Sequence, residues 1–321
     1  MNSALSLRPF FVVGSPRSGT TLLRFMLASH SRLCIPDETG FLPFLRCDPN
    51  DDLDAEEIDK LLLRIGQLNR FWRGLITDVP AFRESLAEPR LAYILDALYR
   101  LQCQAQPAAR WGDKTPLYVR YLPRLLKIFP QAQFIHVIRD GRDASLSARA
   151  KWGAVHPYMD IYYLLRNWQR NVHTGMMAAQ KLTSSQYFSL HYEDLVTEPE
   201  TEIKRLCDFL GETFEPAMLA HDGLARKTGG GIDAQVEVQA SIHTRGRQRW
   251  RREMTPFESR LADYLLGDTL LKLGYSRADV GQLTLKDRLL TAPLASKFLL
   301  TDSTRSVLYR MGILTLNRNR R

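Results

Sequence analysis

Residues Phe10–Thr21, with the sequence FFVVGSPRSGTT, decide the fold of this chain. The first four residues form a short apolar run, which is typical of a parallel strand buried on both faces. From Gly19 to about residue 29 the apolar residues recur at helical spacing. A strand that enters a helix through such a loop presents free backbone N–H groups and the positive end of the helix dipole to an anion. The sequence therefore predicts a phosphate-binding loop here.

This loop departs from the nucleotide triphosphatase pattern at one position. In the pattern G-x-x-x-x-G-K-[ST] a lysine follows the second glycine, whereas Thr20 follows Gly19 in this chain. Kinases and triphosphatases need that lysine on the β- and γ-phosphates, so its absence counts against γ-phosphoryl transfer. A P-loop kinase or NTPase stays as an alternative. Arg17 offers its charge to a different phosphate group.

Strands alternate with helices along the rest of the chain. Strand patterns lie at 111–114, 133–138 and 187–190, and helical patterns lie near 56–74, 84–104 and 118–129, from 143 onward, and at 161–179, 203–210 and 256–272. This alternation predicts an α/β fold with a P-loop-type doubly wound parallel sheet flanked by helices. We expect a main domain over residues 1–275, with a helical acceptor-side insertion at about 48–108, and a basic C-terminal helical tail over residues 276–321.

The charge of the chain is uneven. Lys and Arg number 44 and Asp and Glu 35, which gives a formal net charge of +9. Residues 226–252 contribute +5 and residues 276–321 contribute +6, so the remaining residues are slightly acidic. A basic polyanion-binding surface over the whole fold is therefore not expected, and neither is a nucleic-acid partner. The first basic segment contains three consecutive glycines and is predicted to include a mobile loop over 226–247.

The cysteines and the absence of recognisable targeting signals indicate the cellular location that we expect for the protein. Cys34, Cys47, Cys103 and Cys207 follow no C-x-x-C spacing, so they are interpreted as reduced or buried thiols in a cytoplasmic protein. No run of 18 apolar residues predicts a spanning helix, and the N-terminus lacks the features of a signal peptide. No carboxylate or cysteine cluster predicts a metal site. His30 and His136 are predicted to be packing residues.

A second motif lies roughly 120 residues after the first. Ile138–Ser147 has the sequence IRDGRDASLS, with Arg139 at the end of a predicted strand and Ser147 two turns into the next helix. Ligands of doubly wound sheets bind at the carboxyl ends of the strands, so both side chains are expected at the anion site. Together the two motifs resemble the sulfotransferases that use 3′-phosphoadenosine 5′-phosphosulfate (PAPS). This resemblance covers about residues 10–272.

The resemblance implies a role for each matching residue. The 5′-phosphosulfate would bind Pro16, Arg17, Ser18, Gly19, Thr20 and Thr21, and the 3′-phosphate would bind Arg139 and Ser147. Tyr192, in the segment HYEDL at a strand end, resembles the tyrosine that contacts the nucleotide. Arg249 resembles the late basic residue that closes over the 3′-phosphate, although Arg245, Arg247 and Arg251 compete for this role.

The resemblance also indicates the catalytic residues. Lys114, in the segment DKTP, matches the lysine that stabilises the leaving phosphate. Many cytosolic members have a histidine base two residues later, where this chain has Pro116. Tyrosylprotein and heparan sulfotransferases have a glutamate after the first helix, and Glu38 matches it, 21 residues after Arg17. Glu38 is therefore the expected base, with Asp37 and Asp113 in reserve.

These observations predict an enzyme that moves the sulfuryl group of PAPS to a hydroxyl acceptor and releases 3′-phosphoadenosine 5′-phosphate (PAP), without a metal. The acceptor would be a protein tyrosine, a glycan or glycolipid, or a small metabolite. A homodimer is one expected assembly. In the tail, residues 294–316 mix apolar and basic residues, which favours either contact with the inner face of a membrane or a packed helix. A protein that binds membranes or nucleic acid through this tail is the remaining alternative.

Overall fold

The protein was analysed as a computed structural model that describes residues 8–69, 72–103, 110–220, 244 and 246–310. Within these residues, five parallel strands form one sheet in the order β2-β3-β1-β4-β5. The strands are β1 (Phe10–Gly14), β2 (Leu33–Cys34), β3 (Arg110–Lys114), β4 (Gln133–Ile138) and β5 (Tyr187–His191). This arrangement confirms the predicted α/β class.

The strand β1 lies at the centre of the sheet. Val12 pairs with Lys114 of β3 on one side, and Gly14 pairs with Val137 of β4 on the other. After β1 the chain turns toward β2, whereas the connection from β3 to β4 crosses β1 to the opposite half of the sheet. Ligands of open α/β sheets bind where the strand order reverses in this way. The loop after β1 therefore occupies the ligand-binding position of the fold.

Both faces of β1 are buried, as the apolar run predicted. Phe11 packs into one core with the helical insertion, and Phe10 packs into another on the opposite face of the sheet. Phe11 stacks on Phe134 and meets Trp111 edge-on, with ring centroids 5.6 and 6.1 Å apart. Such aromatic packing anchors the loop that follows β1, since a well-packed core resists displacement of its strands.

Most helices of the first half lie within the predicted helical patterns, but their bounds differ from the predicted ones. The structure has α1 (Thr20–Ala28), α2 (Ala55–Leu68), α3 (Val79–Glu84), α4 (Leu91–Gln102) and α5 (Leu122–Ile128). The helix α3 ends at Glu84, with Ser85 as its C-cap residue, so within the pattern near 84–104 only α4 is helical, and it begins at Leu91. The pattern near 118–129 splits into a 3₁₀ helix over Pro116–Arg120 and α5, each with a proline in its first turn.

The second half of the described chain contains helices of 4 to 26 residues, which pack on both faces of the sheet. These are α6 (Gly141–Trp152), α7 (Ile161–Ala179), α8 (Tyr192–Thr197), α9 (Pro199–Leu210), α10 (Trp250–Glu253), α11 (Pro256–Lys272) and α12 (Leu285–Arg310). The helix α6 begins two residues before the predicted Asp143, because the side chain of Asp140 caps it by accepting from the N–H of Arg142. The predicted loop at 226–247 falls almost wholly outside the described residues.

The prediction of reduced thiols is wrong for two of the four cysteines. Cys34, at the end of β2, forms a disulfide with Cys103, which follows α4, and the bond spans 69 residues. Cys47 and Cys207 are free. Sequence spacing could not predict this pair, because the fold alone brings the end of β2 beside the end of α4. Cysteine usage therefore no longer supports the predicted cytoplasmic location.

The described residues contain neither a membrane-spanning helix nor a metal-binding cluster. None of their helices is both long and apolar enough to cross a membrane. They also contain no group of three or more His, Cys, Asp or Glu side chains arranged to hold a metal ion.

Candidate active site

The loop after β1 adopts a conformation suited to an anion. Arg17 and Gly19 both have left-handed backbone angles, with φ of 71° and 92°. A side chain at position 19 would overlap the ring of Tyr192, so glycine is required there for space as well as for conformation. The N–H of Ser18 bonds back to the carbonyl of Ser15 at 3.2 Å, which closes the turn. The loop then enters α1, and the first N–H groups of a helix have no partner within the helix, so they are available to an anion.

The two sequence motifs meet at this loop. The Nε of Arg17 donates to the hydroxyl of Ser147 on α6 at 3.1 Å. Arg139, at the end of β4, donates from Nη1 to the carbonyl of Arg17 at 2.9 Å. Residues about 120 to 130 positions apart in the sequence therefore form one cationic cluster, which we call the phosphate cluster: Arg17, Arg139 and Ser147. This brings together the three residues that the motifs predicted.

Tyr192 and a backbone carbonyl complete the wall of the phosphate cluster. The guanidinium of Arg139 lies over the Tyr192 ring, 4.5 Å from its centroid. Arg139 also donates from Nη2 to the carbonyl of Gly246 at 2.7 Å. Because stacking and two carbonyl contacts fix the guanidinium plane, its orientation is defined before any anion arrives.

Among the buried polar atoms that have no hydrogen-bond partner in the described residues, two belong to predicted phosphate-binding residues. They are the hydroxyl of Ser18, whose side chain is fully buried, and the Nε of Arg139. An unmade hydrogen bond of a buried group is costly, since the group has also lost its water. Both atoms are donors beside a helix N-terminus, so they suit phosphate oxygens. The residues present therefore fit the phosphate groups of a nucleotide.

Glu38 and Lys114 form an ion pair next to this loop. The Nζ of Lys114 lies 3.2 Å from the Oε2 of Glu38, and the side chains are 1% and 13% exposed. Lys114 ends β3, whose neighbour in the sheet is β1, and Glu38 follows β2. Both strands deliver their side chains to the carboxyl edge of the sheet. The two residues that the sequence predicted as base and electrophile are thus in direct contact.

Asp113, a reserve candidate for the base, lies in a buried hydroxyl network instead. Its carboxylate accepts from the hydroxyls of Thr39 and Tyr99 through one oxygen and of Thr115 through the other, at 2.7 Å in the last case. Burial raises the pKa of Asp113 to about 6, and the nearby charge of Glu38 adds a smaller rise. Thr39 neighbours Glu38 and Thr115 neighbours Lys114, so this carboxylate links the two segments of the ion pair.

Asp37, the other reserve candidate, forms an ion pair with Arg24 of α1 at 2.8 Å. This contact ties the segment before Glu38 to the helix that follows the phosphate loop. The charge of Asp37 is therefore balanced by Arg24, and the ion pair helps to fix the backbone position of the neighbouring Glu38.

The late arginines are arranged differently from one another. Arg249 occupies the N-cap position of α10 and forms an ion pair with Glu253 at 2.8 Å. Arg247 directly follows Gly246, whose carbonyl contacts Arg139, and its Nε is buried without a hydrogen-bond partner among the described residues. Arg251 lies over the Trp250 ring, and Arg245 is outside the described residues. The structure thus places the carbonyl of Gly246 against Arg139, and the role of Arg249 stays a prediction.

The structure also reveals supporting residues that the sequence analysis missed. Asn171 of α7 donates to the hydroxyl of Ser15 in the phosphate loop at 3.3 Å, and it accepts from the buried Arg120 at 2.6 Å. Burial lowers the pKa of this arginine. Asn171 lies on the buried side of α7. A polar residue on that otherwise apolar face was the available signal for a functional contact.

A known protein family matches most of the chain. A profile described as the sulfotransferase family matches residues 9–216, nearly two thirds of the chain. The chain belongs to the sulfotransferase family. This confirms the family predicted from the two phosphate motifs, and the matched region contains both of them together with Glu38, Lys114 and Tyr192.

Relatives of this sulfotransferase include a protein-tyrosine sulfotransferase 1 from Danio rerio. It is 28% identical over 274 residues, which cover 83% of this chain and 71% of the relative. An uncharacterized protein from Aquifex aeolicus is 31% identical over 253 residues, 77% of this chain. The match spans only 31% of the Aquifex protein, and 42% of a protein-tyrosine sulfotransferase from Drosophila melanogaster.

Solved structures share the fold of this sulfotransferase. A sulfotransferase domain from the curacin biosynthetic pathway superposes with a TM-score of 0.61 at 23% identity, covering 84% of this chain and 98% of the domain. A sulfotransferase domain from the Synechococcus PCC 7002 olefin synthase gives a TM-score of 0.55 at 25% identity, with coverage of 82% and 95%. The curacin neighbour supports the fold alone.

Proposed function

We propose that this sulfotransferase transfers the sulfuryl group of PAPS to a hydroxyl acceptor, with Glu38 as the general base and Lys114 as the electrophile. The observation that supports the proposal is that two groups of residues lie at the same edge of the sheet. One is the phosphate cluster with its unsatisfied buried donors, and the other is the Glu38–Lys114 ion pair.

The phosphate loop and cluster would hold the nucleotide. The loop residues Pro16, Arg17, Ser18, Gly19, Thr20 and Thr21 would receive the 5′-phosphosulfate, and Arg139 and Ser147 the 3′-phosphate. Tyr192, whose ring supports Arg139, would contact the nucleoside. Arg249 keeps its proposed place in the closing segment, beside Gly246 and Arg247. Because Thr20 replaces the P-loop lysine, the loop is better suited to a sulfuryl ester than to γ-phosphoryl transfer.

PAPS supplies a sulfuryl group joined to phosphate through a bridging oxygen. The Glu38 carboxylate would take the proton of the acceptor hydroxyl while the hydroxyl oxygen bonds to sulfur. The sulfur–oxygen bond to the phosphate breaks in line, and its electron pair stays on the phosphate oxygen. The Lys114 ammonium would stabilise that developing charge. The electrostatic interaction is stronger because the lysine side chain is buried away from water. The sulfur never bonds to the protein, so no covalent intermediate is needed.

The acceptor is best sought first among tyrosyl peptides. The protein-tyrosine sulfotransferases among the matched relatives support this choice. So does the use of a glutamate after the first helix in place of a histidine after the lysine, since Pro116 occupies that second position. A phenolic proton is also easier for a carboxylate to remove than an alkyl hydroxyl proton. Glycans, glycolipids and small hydroxyl metabolites form the remaining panel.

Transfer of radiolabelled sulfate from PAPS to a panel of tyrosyl peptides, glycans, glycolipids and small alcohols tests this function. We expect labelled product and stoichiometric PAP with at least one acceptor class. Glu38→Gln serves as the matched control for background hydrolysis. Failure to bind PAP in calorimetry, or magnesium-dependent ATP hydrolysis in place of transfer, would contradict the proposal and favour the kinase alternative.

A further inference from the structure

The helix α12 presents two apolar faces, one of which is solvent-exposed. Pro293 lies inside this helix. On ideal geometry of 100° per residue, a set of exposed positions falls within a stripe about 100° wide, and its members are Leu285, Leu289 and Ala292 before the proline and Ser296, Leu299, Leu300, Ser303 and Val307 after it. We call these residues the outer stripe. Its four leucines are 64–77% exposed. Over the stripe the helix rises about 33 Å, so the exposed apolar surface is long and narrow.

The opposite face of α12 is committed to the core. Leu294, Ala295 and Phe298 pack against α7 and α11, and Phe298 meets the rings of Tyr162 and Tyr163 edge-on. This packing fixes the rotation of the helix, because the inner residues cannot leave the core without loss of burial. The outer stripe is therefore exposed in a helix whose orientation is fixed by its inner face.

The charges of α12 are sorted between the two faces. Both of its acidic residues turn inward: Asp287 pairs with Arg260 at 2.8 Å, and Asp302 accepts from Arg170 at 2.9 Å. Lys286 and Arg288 are exposed and, by helical geometry, border the outer stripe on opposite sides. The outward half of the helix thus combines leucines with positive charges, and no acidic residue of α12 lies on it.

We propose that the outer stripe of α12 binds the surface of an anionic lipid bilayer, with the helix lying in the plane of the interface. Apolar side chains flanked by basic residues match the acyl boundary and the headgroups respectively. The sequence after the helix adds Arg318, Arg320 and Arg321 and no acidic residue. This surface is independent of the proposed sulfuryl transfer, and it would hold the enzyme at a membrane.

A second copy of the chain fits the outer stripe less well. Two-fold pairing of the stripe would bring the basic borders of one helix beside those of the other, with no acidic residue of α12 between them. Like charges facing each other across an interface are unfavourable. A narrow stripe on one helix also buries little area compared with a stable dimer interface.

Vesicle flotation of the full-length protein tests the proposal. Phosphatidylcholine vesicles with and without phosphatidylglycerol are the probes. We expect binding to the anionic vesicles, at least tenfold weaker for the triple variant Leu289→Ser/Leu299→Ser/Leu300→Ser. Neutralising Lys286→Gln and Arg288→Gln should weaken binding about fivefold for each lost charge. Leu63→Ser, at a leucine of α2 that is 66% exposed, is the matched control and should bind like wild type.

Thermal melts report whether each variant is folded, and light scattering reports its oligomeric state. Equal melting temperatures of the triple variant and wild type would show that the helix remains packed. Wild-type protein that floats with neither vesicle, or a well-folded triple variant that floats like wild type, would overturn the proposal. So would a wild-type dimer that the triple variant converts to monomer, since the stripe would then be a subunit interface.

Discussion

The Nζ of Lys114 lies 3.2 Å from the Oε2 of Glu38, in a pocket that buries the ammonium almost completely. The two residues come from different strand ends, 76 positions apart in sequence. A buried ammonium is costly without a counter-charge, so Glu38 stabilises Lys114 before substrate binds. Contact between the proposed base and the proposed electrophile also means that a change in one alters the charge felt by the other.

Glu38→Gln should abolish most turnover and leave nucleotide binding intact. The amide keeps the shape of the side chain but cannot accept a proton, so kcat is expected to fall by about 10² to 10⁴. PAP affinity in calorimetry should change little, because the phosphate cluster is untouched. The measurement is the rate of sulfate transfer from labelled PAPS together with the PAP binding isotherm.

Asp37→Asn is the matched comparison for that experiment. It removes a neighbouring carboxylate that pairs with Arg24, so it should affect stability more than kcat. A full loss of turnover in Asp37→Asn, with Glu38→Gln active, would move the role of base from Glu38 to Asp37.

Arg139→Gln should weaken PAP binding by about 10- to 100-fold, since hydrogen bonds to charged groups contribute about 1.5–3 kcal/mol each. Calorimetric titration with PAP measures this directly. Arg90→Gln, which alters an exposed arginine paired with Asp52 on the insertion, is the control. The same titration of Arg247→Gln and Arg249→Gln decides which late arginine contacts the nucleotide. An Arg139 variant with wild-type affinity would refute the assigned 3′-phosphate site.

Asp113→Asn should flatten the dependence of stability on pH in mildly acidic solution. Burial raises the folded-state pKa of Asp113 to about 6, whereas an unfolded aspartate titrates near 3.9. The native state therefore binds more protons between these values, and stability falls as pH rises from about 4 to 6. Urea melts across this range should show a wild-type decrease that the variant lacks, in part or whole. Parallel curves for the two proteins would contradict the assigned burial of a titrating carboxyl.

Removal of the disulfide with Cys34→Ser/Cys103→Ser should lower the free energy of unfolding by about 4 kcal/mol or less, the chain-entropy value for a loop of this length. The loop contains Glu38, so kcat should fall as its position loosens. Denaturation of wild type with and without a thiol reductant measures the same quantity. Cys47→Ser is the control, because that cysteine is free.

The phosphate loop could be predicted from sequence because it is a local structure. Its strand, glycines and helix lie within Phe10–Ala28, and their order alone specifies an anion site. Glu38 and Lys114 could be predicted only through the resemblance to a family, since their contact depends on strand order. Arg139 is also indicated by its position at the end of a predicted strand. Helix bounds failed where prolines or caps interrupt the periodic pattern, as at Pro116 and Asp140.

The alternation of strands and helices, the buried central strand and the anion-binding loop could be inferred from the sequence, because each depends on neighbouring residues. The Cys34–Cys103 disulfide, the burial of Asp113 among hydroxyls and the inward orientation of both acidic residues of α12 became evident only in the folded structure. These features join segments that are distant in the chain, and their chemical properties depend on burial. The periodic pattern of a sequence shows which residues are apolar, but it does not show which distant groups will contact them.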